Sequence, residues 1–151
     1  MQLPAVVPGD YELNVVARRE SGNESLSFTL PVAGAQVSLL IDAQGGKLSG
    51  LRQIDGKNID SNETKHEGAV FADGQAKSIT VTVRKNHVRA VCDGQPLVGW
   101  TGDVNRLKPT EHAPYNDRIY VGSFNSRYRL TKIELTPLSS EAETASPALL
   151  A

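Results

Sequence analysis

The chain has 151 residues, a formal net charge of -1, and 39% hydrophobic and 5% aromatic residues. That length fits one domain, and no apolar run approaches the roughly 18 residues of a membrane span. The charge balance offers no basic stripe for nucleic acid, and a single cysteine, Cys92, excludes an intrachain disulfide framework and any multi-cysteine zinc site. Met1 to Pro8 lacks a basic stretch followed by an apolar one, so it is not read as a signal peptide. The compartment stays open, and the sequence fits an excised segment of a longer protein as well as a free-standing chain.

Glycine and proline are spread along the chain, which suits many short elements. Tyr11, Leu13, Val15 and Ala17 alternate with Glu12, Asn14, Val16 and Arg18, the period of a strand with one buried face. After a Ser21-Gly22-Asn23 turn, Leu26, Phe28 and Leu30 make a second strand that stops at Pro31. Val37 to Asp42 is a third, Gly45-Gly46 a turn, and Leu48 to Ile54 a fourth strand. Asp55 to Gly68 is a long polar loop, and Val70-Phe71 reads as a short strand. Ile79, Val81 and Val83 share a face. Val88, Ala90 and Cys92 repeat it beyond Lys85-Asn86, which predicts a hairpin with a buried, inert thiol. Pro96 to Val98 begins a strand toward Trp100. Asp103 caps one helical turn with Leu107 facing inward, and Pro109 to Asn116 is a second long loop. Arg118 to Ser123 and Arg127 to Leu135 are strands about an Asn125-Ser126 turn. The apolar parity changes between Leu130 and Ile133, which predicts a β-bulge near Thr131. The pattern implies an all-β sandwich or closed barrel over 1-138, followed by a disordered tail or linker over 139-151.

The run from Ile79 to Val98 resembles a hairpin of concanavalin A-like lectin/glucanase domains, laminin-G-like members among them. Tyr120 to Ser123 and Tyr128 to Leu138 look like the closing strands of that fold. Gly50 to Gly56, Asp60 to Thr64 and Trp100 to Asp103 are similar to lectin-like modules of unassigned function in multidomain bacterial proteins. The resemblance implies an antiparallel two-sheet jelly roll whose ligands sit on the concave sheet or its rim. A fold of this kind does not by itself fix function.

Catalytic relatives carry Glu-x-Asp-x-x-Glu on one strand, and no such triplet occurs here. The histidines His66, His87 and His112 lack a recognisable catalytic partner, and His66-Glu67 is not followed by zincin spacing. The reading is therefore non-catalytic, with no required cofactor. Sugar recognition needs a flat apolar ring beside planar polar groups. Trp100, Tyr115, Asn116, Asp103, Asn62 and Asn125 are the candidates, although Trp100 at a strand end also fits a core lid. Asp60, Asn62 and Glu63 place oxygen atoms at the spacing a calcium ion favours, but Asp and Asn in such runs commonly make turns. The expected function is a carbohydrate-binding module. The alternative is a structural or protein-interaction domain on the same fold, and a glycoside hydrolase ranks below both.

Overall fold

A computed structural model describes residues 1–7, 9–107 and 117–139. Its strands, in chain order, are β1 (Gln2–Val6), β2 (Tyr11–Ser21), β3 (Leu26–Val32), β4 (Ala35–Asp42), β5 (Leu48–Arg52) and β6 (His66–Glu67). They continue as β7 (Lys77–Arg84), β8 (His87–Cys92), β9 (Gln95–Thr101), β10 (Arg118–Ser123) and β11 (Arg127–Pro137). They form a 6-stranded sheet ordered β1-β10-β3-β4-β5-β6 and a 5-stranded sheet ordered β11-β2-β7-β8-β9. All pairings are antiparallel.

The period-two pattern explains the sandwich. Leu13, Val15, Ile79, Val81, Val88 and Ala90 line the inner face of the smaller sheet. Leu26, Phe28, Leu30, Val37, Leu39 and Ile41 meet them from the larger one. Each of these side chains larger than Ala90 stabilises the fold by roughly 1.5–3 kcal/mol when fully buried. Tyr11 is buried with them, and its hydroxyl donates to the Pro31 carbonyl at 3.0 Å.

The bulge near Thr131 is present. Leu130 pairs with Ala17 and Lys132 with Val16, so Thr131 is the extra residue. It lets Tyr128, Leu130, Ile133 and Leu135 all pack against the core from one strand. Other expectations need correction. β3 runs through Pro31 to Val32, because both residues stay paired with β4, opposite Gln36 and Ala35. β5 stops at Arg52, because Gln53 and Asp55 turn to φ 69° and 54°. Val70-Phe71 is not a strand: both N–H groups donate to the Asp42 carboxylate, at 2.7 and 2.8 Å. β1 was not foreseen; it presents little apolar alternation, with Leu3 its one buried residue. Cys92 is only half-buried, and desolvation pushes its thiol pKa up. No described helix is long and apolar enough to cross a membrane.

Candidate functional site

On the outer face of the larger sheet, register sets two rows across the strands. One is Gly122, Ser27, Leu40 and Gly50; the other is Tyr120, Thr29, Ser38 and Arg52. The alternation that buries Phe28, Leu39 and Leu51 turns these residues outward. A groove of about 480 Å³ lies on this face. Its floor holds Ser27, Leu40 and Arg52; Asn58 and Ile59 wall one side, and Glu24, Ser123 and Phe124 wall another.

The walls have local causes. The loop after β5 folds down onto Gly50, where a β-carbon would come within 3.0 Å of Thr64 Oγ1 and 3.1 Å of Ile59 Cγ1. Asn62 organises that loop. Its amide donates to the carbonyls of Leu51 and Lys57, and its oxygen accepts from the N–H and hydroxyl of Thr64. Thr64 in turn accepts the Leu51 N–H at 2.9 Å. At the other wall the β2–β3 and β10–β11 turns interlock. Glu24 N–H donates to Ser126 Oγ at 2.8 Å, Phe124 N–H donates to the Ser25 carbonyl at 3.0 Å, and Tyr128 donates to the Glu24 carbonyl. Gly22 is required there, since at φ 86° a β-carbon would sit 2.6 Å from the Asn125 carbonyl oxygen. The interlock leaves the Phe124 ring 59% exposed at the rim.

Two charged side chains line the groove. Glu24 Oε1 accepts the Gly45 N–H at 2.7 Å. Arg52 is half-buried, and its guanidinium has no hydrogen bond or ion pair among the described residues. The groove therefore offers an apolar ring, hydroxyls, a planar cation and a carboxylate within one concave surface.

The residues singled out in the sequence fall elsewhere or beside it. Trp100 is 3% exposed and belongs to the core, with Nε1 buried and without a hydrogen-bond partner among the described residues. Asp103 caps the 3-10 turn Val104–Arg106 by accepting the Asn105 N–H at 2.9 Å, and Leu107 is buried as anticipated. Asn62 is committed to its turn. Asn125 is exposed at φ 44° in the turn that carries Phe124. Tyr115, Asn116 and His112 lie outside the described residues, as does the tail from 140 to 151. Of the calcium candidates, Glu63 faces Arg106 together with Asp55, and these two carboxylates, Asp55 first, push the Arg106 pKa further up. Asp60 is exposed, and no group of three or more His, Cys, Asp or Glu side chains able to hold a metal ion occurs among the described residues.

Arg52 and Phe124 were not singled out. Two signals were available: an arginine of opposite parity to Leu51 in a strand, and an aromatic in the otherwise polar Ser123–Ser126 turn.

No protein-family model matches the chain, and no curated protein does. Solved structures do match. Sheep galectin-11, in complex with glycerol, is 11% identical with a TM-score of 0.52, over 89% of this chain and 96% of that one. Caenorhabditis elegans galectin LEC-6 is 8% identical with a TM-score of 0.53, over 90% and 89%. The alginate lyase AlyC3 is 14% identical with a TM-score of 0.53, over 87% of this chain and 66% of that one. At these identities the likeness is one of fold. The protein is a concanavalin A-like jelly-roll sandwich of two antiparallel sheets. Its structural neighbours include both galectins and alginate lyases.

Proposed function

We propose that this chain is a non-catalytic carbohydrate-binding module whose site is the groove on the larger sheet. One observation carries the reading: the groove joins the exposed Phe124 ring to Arg52, unpaired among the described residues, and to Ser27, Asn58 and Glu24. A sugar presents a C–H face and vicinal hydroxyls, which match an aromatic plane, a forked donor and an acceptor. The structural likeness to galectins supports the same class of ligand. Glycoside hydrolysis uses two carboxylates across the scissile bond. Among the described residues lining the groove, Glu24 is the one carboxylate, and neither histidine nor tyrosine lines it. That composition supports binding over turnover.

A glycan array tests the reading. Binding should appear with the wild type and fall with Phe124→Ala, while melting temperature stays unchanged. Silence across the array would sink it and favour a protein-interaction role, a reading to which the 5% aromatic content lends weight.

A further inference from the structure

The groove does not end at Glu24. A second cavity of about 440 Å³ adjoins it, lined by Gln44, Gly46, Lys47, Leu48, Glu67 and neighbours, and Gln44 lines both. Together they have room for more than one sugar ring.

Their ionic groups are unequally satisfied. Of the two carboxylates, Glu24 accepts the Gly45 N–H at 2.7 Å and Glu67 pairs with Lys65 at 3.4 Å. Of the two cations, neither the Arg52 guanidinium nor the Lys47 ammonium has a hydrogen bond or ion pair among the described residues. Each carboxylate thus has a donor among the described residues, and neither cation has an acceptor there. A half-buried guanidinium that has lost part of its water gains most from an oxyanion it can grip with two N–H groups.

We infer that the two cavities form one track for an acidic oligosaccharide, with one anionic group on Arg52 and another, further along the chain, on Lys47. This rests on the glycan-binding reading and narrows it to a charge class. The anionic group is a carboxylate or a sulfate, and both present a pair of oxygens that the guanidinium fork can grip.

The test uses the full chain and a panel in matched pairs. Oligosaccharides of galacturonate, glucuronate and mannuronate are set against their methyl esters, and sulfated oligosaccharides against their desulfated forms. The expected result is binding by an acidic member, weakened at least about tenfold by neutralisation of the ligand or by Arg52→Gln. Binding should also weaken as salt rises from about 0.05 M to about 0.5 M. Lys47→Gln should weaken only ligands longer than one residue. The uronate and sulfate arms separate the two sources of charge. Because neither cationic group bonds to another described residue, both variants should melt with the wild type, and a melting scan confirms that they fold. Equal binding of an acid and its ester, or loss in Phe124→Ala with none in Arg52→Gln, would overturn the acidic-ligand inference and leave glycan binding standing. Silence across panel and array overturns both.

Discussion

Arg19 of β2 reaches across the sandwich to Asp42 at the end of β4, placing Nη1 3.2 Å from Oδ2. Asp42 is fully buried and left-handed at φ 62°, and it also accepts the N–H groups of Val70 and Phe71. One carboxylate thus ties both sheets and the segment before β7. Removing one partner of a buried pair leaves a charge without compensation and costs about 3–5 kcal/mol. Asp42→Ala should approach that loss in a urea melt, because it strands Arg19 and two N–H donors. Arg19→Met should cost less, about 1.5–3 kcal/mol, because Asp42 keeps its backbone donors. An Asp42→Ala variant as stable as wild type would remove the tie from the account.

Trp100 tests the separation of core from site. Trp100→Ala should destabilise by about 3–5 kcal/mol, as large aromatic truncations in cores do. Trp100→Phe should cost distinctly less, because it deletes a buried Nε1 donor that has no partner among the described residues. Its glycan binding should match the wild type. Since Trp100 is the only tryptophan, its emission should be blue-shifted in the fold and red-shift on unfolding.

Phe124→Ala should show the opposite profile. Stability should stay within about 0.5 kcal/mol, the usual range for surface changes. Covering about 60 Å² of ring contributes about 1.5 kcal/mol, so affinity for a bound glycan should fall about tenfold. Calorimetry on both variants would expose a failure of either half.

Tyr11 supplies a pH dependence. Burial raises its phenol well above the ordinary 10.0. A folded value above the unfolded one means that the contribution is complete below pH 10.0 and is lost as pH rises through the folded value. The fold should therefore weaken in alkali, with tyrosinate absorbance from Tyr11 appearing only with unfolding. Tyr11→Phe should flatten that alkaline slope while costing about 1 kcal/mol at neutral pH for the lost bond to Pro31. An unchanged slope would count against it.

The bulge makes a prediction by deletion. Without Thr131, Tyr128, Leu130, Ile133 and Leu135 fall into plain alternation, so its removal should be tolerated. Removing Glu134 would instead put Leu135 and Ile133 on opposite faces and should cost several times more in a melt.

The framework was legible because periodicity and parity are local. Ile79 to Cys92 needed only alternation, and the change of phase at Thr131 was visible in the spacing of four apolar residues. Val70-Phe71 was misread because what holds it, the Asp42 carboxylate, lies 28 residues away in sequence. The groove failed for a related reason. Parity says that Arg52 and Ser27 face outward, but only the pairing of β3, β4 and β5 brings them to one surface. Trp100 drew attention by its residue type, which carries no information about which side of a sheet it meets.

The interlocked turns at the end of the groove use main-chain groups and the Ser126 and Tyr128 hydroxyls. None of those bonds involves the side chains of Phe124 or Asn125. The rim is therefore a fixed bracket with exchangeable fittings. Little motion remains to be frozen when a ligand arrives, so capture should occur in one kinetic step. Preference can also drift by substitution at Phe124 while the sandwich beneath keeps its melting temperature, whereas Asn125, at φ 44°, is held to residues that accept a left-handed backbone.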